Sequence, residues 1–136
     1  MLQVSADVRA LENRVMIISF EATEASSINE WDTITTGVYN ENEYICFQRH
    51  EEHGHEDDDG IYIEYKDQTH AGENIVSKVI LNRKTLKIFL SSPLYNLNDF
   101  TEFNIGLAIT EIEFNQLVDG LKFTFWDCME CLEVEA

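Results

Sequence analysis

The segment from His50 to Gly60 carries the densest set of metal-ligating side chains in the sequence. Its three histidines and six carboxylates are His50, His53, His55, Glu51, Glu52, Glu56, Asp57, Asp58 and Asp59. Imidazole nitrogens with carboxylates nearby are competent ligands for zinc or nickel. One hypothesis is therefore a divalent-metal-binding or metal-sensing protein that uses His50, His53 and His55.

The same composition also fits a solvated loop. Residues 50–60 include Gly54 and almost no apolar side chain, so they lack the rigid support on which catalytic zinc sites are built. We expect an exposed, mobile loop that contributes nothing to the core, with no metal or other cofactor. Its carboxylates repel one another, and a cationic partner would relieve that repulsion. The predicted partner-binding residues are thus Glu51, Glu52, Glu56, Asp57, Asp58 and Asp59.

A second pair of candidate ligands, Cys128 and Cys131, forms a lone C-x-x-C near the end of the sequence. A zinc ribbon needs a second such pair, and a thioredoxin-type motif lies early in a βαβ unit. Acidic neighbours such as Asp127 and Glu130 oppose thiolate formation. With Cys46, the cysteines are odd in number and form no spaced framework, which favours reduced thiols in a cytoplasmic protein. The first residues also lack the pattern of a secretory signal.

Catalytic motifs are absent from the sequence. It contains no nucleophile elbow, phosphate-binding loop, dinucleotide fingerprint or H-E-x-x-H pattern. Carboxylates are so numerous that spacing alone singles out no acid–base pair. The expectation is a protein that is not an enzyme.

The charge balance is strongly acidic. Against 26 Asp plus Glu there are 9 Lys plus Arg, for a formal net charge of −17. Such a field repels nucleic acid and anionic membranes and draws basic surfaces inward. No apolar run approaches the length that spans a bilayer. We therefore expect neither nucleic acid nor membrane as a partner, although acidity also serves solubility alone.

Hydrophobic alternation predicts a chain dominated by strands. Strands are expected over residues 2–8, 15–20, 33–39, 43–49, 61–65, 75–81, 86–90 and 100–109. The polar segment 23–30 is expected to be a loop or short helix, and 68–74 and 91–99 to be loops. The strands on either side of residues 50–60 are expected to pair through a long hairpin loop.

One helix is predicted after the last strand. Thr110 and Glu113 have the spacing of a capping box, and an apolar stripe follows at Phe114, Leu117, Val118 and Leu121. The helix ends at Gly120 or continues to about Phe125. Residues 1–136 are therefore expected to form a single α+β domain: a mostly antiparallel β-sheet, bent or barrel-like, with one C-terminal amphipathic helix packed on it.

Two stretches carry a family resemblance. The first runs from Ile61 to Gln68, through a short loop and strand, to Leu81–Leu86 and on to Leu90; the second is the Glu113–Leu121 helix. Together they resemble the immunity protein ten family of bacterial polymorphic toxin systems, over roughly residues 61–125. The resemblance implies a single immunity-protein-like domain encoded beside a toxin, which it neutralises by binding. No functional residues come with it, and residues 50–60 match no family pattern.

Three functions remain in competition at this point. The leading hypothesis is a non-catalytic bacterial immunity protein that binds a cognate toxin, such as a basic nuclease. The others are the metal-binding or metal-sensing protein and a structural or adaptor module. Outward-facing aromatic side chains would anchor an interface rimmed by acids. The oligomeric state is left open.

Overall fold

The computed structural model describes residues 16–135. Its strands are β1 (Met16–Ala22), β2 (Glu24–Glu30), β3 (Thr33–Tyr39), β4 (Tyr44–His50), β5 (Tyr62–Tyr65), β6 (Asp67–Glu73), β7 (Val76–Leu81), β8 (Thr85–Leu90), β9 (Phe100–Leu107) and β10 (Leu132–Val134). Between β9 and β10 lie helix α1 (Glu111–Thr124) and a 3-10 turn (Met129–Cys131). The predicted strand over residues 2–8 lies outside the described range. Within that range, no helix is long and apolar enough to cross a bilayer.

The strands form two five-stranded sheets. The first has the order β1-β9-β8-β7-β10 and the second β2-β3-β4-β5-β6. Neighbours are antiparallel except for β1 with β9 and β7 with β10, which are parallel. The predicted α+β class, with mostly antiparallel sheet and one late helix packed on it, is confirmed. Over residues 16–135 the two sheets stay open and do not close into a barrel.

Inward-facing side chains of both sheets and of α1 form one hydrophobic core. In the second sheet, every other residue of β4 is buried, beginning with Ile45 and Phe47, as is Ile63 in β5. This alternation places the intervening residues on the opposite side of the sheet. The side away from the core is the part of the second sheet that can meet other molecules.

Helix α1 begins and continues as the sequence indicates. The Thr110 hydroxyl accepts from the backbone N–H of Glu113, whose carboxylate in turn accepts from Thr110 N–H. The helix runs through Gly120 to Thr124 because the glycine allows close approach to the second sheet. A Cβ at Gly120 would lie 2.5 Å from Ser27 Oγ and closer still to Thr36 Oγ1. Gly120 thus serves helix–sheet packing and does not end the helix.

Three strands arise where the sequence predicts none. β2 occupies the segment expected to be a loop or short helix, β6 occupies most of the expected loop 68–74, and β10 was not foreseen. All residues of β2 pair with β3, which supplies the hydrogen bonds that the polar sequence cannot specify. From β2, Ser27 lies close to Gly120 of the helix, and the backbone N–H of the buried Ala25 donates to Glu113 Oε2 at 3.2 Å. Tertiary contacts therefore override local propensity at these positions.

Candidate binding surface

Arg49 anchors the acidic segment, residues 51–59, to the end of α1. Its side chain is 5% exposed and points inward from β4. The guanidinium donates to Asp58 Oδ1 at 3.1 Å, to Asp127 Oδ1 at 2.7 Å and to the backbone oxygen of Thr124 at 3.0 Å. Both oxygens of each carboxylate are engaged, which gives the geometric specificity of paired Arg–carboxylate bonds. The segment is therefore tied down at a buried point.

The carboxylate of Asp58 is buried and takes part in several hydrogen bonds within the protein. Its side chain is 3% exposed and also accepts from the backbone N–H of Gly54 and Gly60, at 3.3 and 3.2 Å. Burial alone would raise the pKa of Asp58, but the bonds from Arg49 and these two amides outweigh it and hold the pKa below its usual range. Asp58, predicted to meet a partner, is instead buried as the counter-charge of the inward-pointing Arg49 and does not lie on the exposed surface.

His53 makes a second anchor. Its ring stacks on Trp126, with centroids 4.5 Å apart and planes 14° apart, and lies 4.2 Å from the ring of Phe123. Arg49 lies 5.5 Å from the centre of the same Trp126 ring. No residue of 50–60 belongs to the hydrophobic core, as predicted, but the exposed His53 packs against aromatic side chains of α1 and the residues after it.

The three histidines do not converge on one point. The rings of His50 and His55 stack with centroids 4.6 Å apart and planes only 7° apart, while His53 packs elsewhere. Backbone N–H groups of Glu52 and Asp57 donate to Nδ1 of His50 and His55, each at 3.0 Å. Ligand atoms of His50, His55 and Asp57 lie within 4.8 Å of one another, whereas His53 packs on Trp126. The predicted site of His50, His53 and His55 is therefore not formed as a set, although His50 and His55 remain candidate ligands together with Asp57.

The remaining carboxylates of the acidic segment divide into two kinds. Glu51 is half-buried and accepts from Asn29 Nδ2 at 2.8 Å, which links the segment to β2. The exposed carboxylates are those of Glu52, Glu56, Asp57 and Asp59. These four of the six predicted partner-binding residues are free to meet a cationic surface.

The outward side of the second sheet is the larger part of the same surface. Strand register places Ser26, Gly37, Cys46 and Glu64 in one row across β2–β5, and Ile28, Thr35, Gln48 and Tyr62 in the next. A depression of about 460 Å³ is lined by the small Ser26, Gly37 and Cys46 of the first row, by the β3–β4 connection and by Lys66. We call the outward side chains of β2–β5, together with the four exposed carboxylates above, the acidic face.

A buried carboxylate organises the middle of the acidic face. Glu64 accepts from the hydroxyl of Tyr62 at 2.6 Å and from the hydroxyl of Tyr44. Burial and these hydrogen bonds raise the pKa of both tyrosines, and burial together with the Glu64 carboxylate raises the pKa of the Cys46 thiol to about 12. These groups stay protonated at neutral pH and offer no thiolate or phenolate nucleophile. The network fixes the shape of the surface.

The sheet and the acidic segment form a continuous surface. A second recess, of about 220 Å³, is lined by Thr33, Gln48 and Tyr62 from the sheet and by Asp57 and Asp59 from the segment. Alternation in the sequence indicates which residues of β4 face outward. The register that brings them beside β2, β3 and β5 is not visible from the sequence, so reasoning from motifs missed Glu64 and its two tyrosines.

Cys128 and Cys131 form a disulfide after α1, with Cα atoms 5.5 Å apart. The 3-10 turn at Met129–Cys131 brings the two side chains together. The expectation of reduced thiols is wrong for this pair, while Cys46 is a free thiol. Cysteine usage therefore no longer supports the cytoplasmic prediction.

Comparisons with protein families, curated proteins and solved structures found no match. The acidic face has a polar middle, where Glu64 holds the hydroxyls of Tyr44 and Tyr62, and a border of exposed carboxylates.

Proposed function

We propose that this protein acts without catalysis, by binding a basic protein through the acidic face. One observation carries the proposal: the outward side chains of β2–β5 include no lysine or arginine, while exposed carboxylates border them. Lys66 follows β5 at the end of the sheet away from the acidic segment, where it lines the 460 Å³ depression and adds a positive charge. The rest of the acidic face is predominantly negative, and such a surface selects basic partners and speeds their encounter.

The composition of the acidic face resembles that of a protein interface. Tyr62 supplies aromatic area beside Glu64, and Tyr39 and Tyr44 supply it at the end of the sheet away from the acidic segment. Glu24, Glu30 and Glu73 lie at the border. Interfaces are enriched in aromatic side chains and have polar rims. The hydroxyls of Tyr44 and Tyr62 are already held by Glu64, so less side-chain freedom is lost on binding.

The partner class follows from the charge and from the family resemblance. An immunity protein would neutralise a toxin, and a nuclease is a toxin whose substrate channel must be positive to hold phosphates. Carboxylates along the acidic face would occupy such a channel in place of nucleic acid. We therefore propose a cognate toxin of this kind as the partner.

The direct test uses the product of the gene adjacent to the one encoding this chain. We expect that product to stop growth when expressed alone and to be tolerated when this chain is co-expressed. The two purified proteins should bind in calorimetry at physiological salt. Absence of binding by the purified pair would refute the proposed partner.

A charge-matched pair of variants separates the acidic face from net charge. The first combines E30Q, E52Q, D57N and D59N, and the second combines E21Q, E111Q, D119N and E130Q; all eight residues are exposed. Both remove four charges, but only the first lies on or beside the acidic face. We expect the first to weaken binding at least about tenfold, or ~1.4 kcal/mol, and the second to change it much less. Equal losses would mean that only net charge matters.

Salt provides a further measurement of the same proposal. Association of the parent should slow several-fold between low and physiological salt, while dissociation changes less, because screening acts on the approach of the two charged surfaces. An association rate that does not respond to salt would exclude electrostatic steering.

A further inference from the structure

The turn between β2 and β3 holds an unusual residue in an unusual conformation. Trp31 and Asp32 both have positive φ, 57° and 63°, as a type I′ hairpin turn requires. Asparagine and glycine suit these positions, whereas a bulky aromatic residue in the left-handed region is an outlier. Trp31 is nevertheless 90% exposed, so burial does not repay the unfavourable conformation.

We infer that Trp31 is the anchor with which the acidic face inserts into a recess on its basic protein partner. This inference rests on the proposed function and adds the residue and the contact that it makes. An exposed tryptophan has the largest apolar area to bury on association, and tryptophan is enriched among the side chains that dominate interface energetics.

The position of Trp31 connects it to the acidic face. The backbone N–H of Glu51 donates to Asp32 O at 2.8 Å, and Glu51 Oε1 accepts from Asn29 Nδ2 at 2.8 Å. These bonds attach the turn to the first residue of the acidic segment. Ile28, on the outward side of β2, is 54% exposed. Trp31 and Ile28 thus supply apolar area at the end of the sheet where the exposed carboxylates gather.

The surrounding charge identifies the partner as basic. Trp31 lies between Glu30 and Asp32, both exposed, and beside Glu51. Lysine or arginine side chains next to the partner's recess would pair with these carboxylates and contact the face of the indole ring. An anionic membrane, the other common destination of an exposed tryptophan, is repelled by the same acids.

The second tryptophan, Trp126, differs from Trp31 in being packed against other side chains. Trp126 is 39% exposed and is already stacked on His53 and close to Arg49. Its ring helps to hold the acidic segment on α1. Within residues 16–135, Trp31 accepts a hydrogen bond from Thr33 Oγ1 on its backbone oxygen, at 3.4 Å, and its indole is left exposed.

The test replaces the anchor with a residue that suits the turn. W31N should leave the melting temperature unchanged or raise it by a few degrees, because asparagine tolerates the left-handed region. The same variant should bind the adjacent-gene product at least about tenfold more weakly. The control is Y95N, which removes another aromatic side chain that is 70% exposed, in the β8–β9 connection. Unchanged affinity in W31N, or an equal loss in Y95N, would overturn the inference.

A second measurement follows binding in the parent protein and uses W31N only to assign the signals. With fluorotryptophan incorporated, this chain carries two fluorine signals, and the W31N spectrum assigns the Trp31 signal by its absence. On addition of the unlabelled partner, we expect the Trp31 signal to shift and the Trp126 signal to move less. Binding by calorimetry with an unmoved Trp31 signal overturns the anchor and leaves the proposed function standing. No binding overturns both.

Discussion

Asp58 and Asp59 are adjacent residues of one type that have opposite surroundings. The side chain of Asp58 is 3% exposed and pairs with Arg49, whereas Asp59 is exposed. The same division runs through the acidic segment: Asp58, His53 and the half-buried Glu51 hold it to the body of the protein, and its other four carboxylates are exposed. Composition suggests one uniform charged loop. The structure instead has an anchored part that positions the exposed part for a partner.

The largest expected loss of folding free energy comes from removing Arg49, the partner of the buried Asp58. R49M leaves Asp58 buried without its counter-charge, which typically costs about 3–5 kcal/mol of folding free energy. Urea unfolding of the parent and the variant measures the loss. The control is K66M, whose lysine is exposed and should matter by less than about 0.5 kcal/mol. Similar stability of the two variants would show that the anchor is dispensable.

Acid should weaken the same anchor. The bonds from Arg49 hold the pKa of Asp127 below its usual range, as they and backbone amides do for Asp58. Protons therefore bind these two carboxylates more readily in the unfolded chain than in the folded protein. This stabilisation is fully present above roughly pH 4 and is lost as pH falls through the lower pKa values of the folded protein. Unfolding free energy should drop across that range in the parent.

The matched control for the acid effect is the double variant D58N and D127N. It should show a smaller drop over the same range, because its anchor has no carboxylates left to protonate. Parallel curves for the parent and the double variant would assign the acid sensitivity to other groups.

The neighbouring aspartates give the most direct comparison. D58N keeps the shape of the side chain but loses its charge-assisted bonds to Arg49, which should cost about 1–3 kcal/mol. D59N should be neutral within about 0.5 kcal/mol or slightly stabilising, because it relieves repulsion. Chemical denaturation of the two variants side by side measures the difference. If D59N were the more damaging, the two aspartates would have been assigned the wrong roles.

The smallest loss of stability is expected at His53, which stacks on Trp126. H53A removes the stack on Trp126 and should cost about 0.5–1 kcal/mol, in line with other aromatic pairs. H53F keeps a flat ring and should retain most of the stability. Thermal unfolding distinguishes them, and equal losses in the two variants would mean that stacking does not hold the segment.

Most elements could be predicted from local pattern, because alternation and capping act over a few residues. β3 follows the predicted strand 33–39, and α1 starts at the predicted capping box. The carboxylates of the acidic segment were visible as a cluster of charge. Their division into anchored and exposed groups was not, since Asp58 and Asp59 have the same local pattern.

What the sequence by itself determined was the class of the fold, most strands, the helix and the acidic character. Only the tertiary structure decided the roles of individual residues. Arg49 pairs with Asp127, which lies 78 positions away in the sequence. β2 is a strand because all of its residues pair with β3. The physical reason is that burial of a charge and pairing of a polar strand depend on a partner distant in the chain, which no local periodicity records.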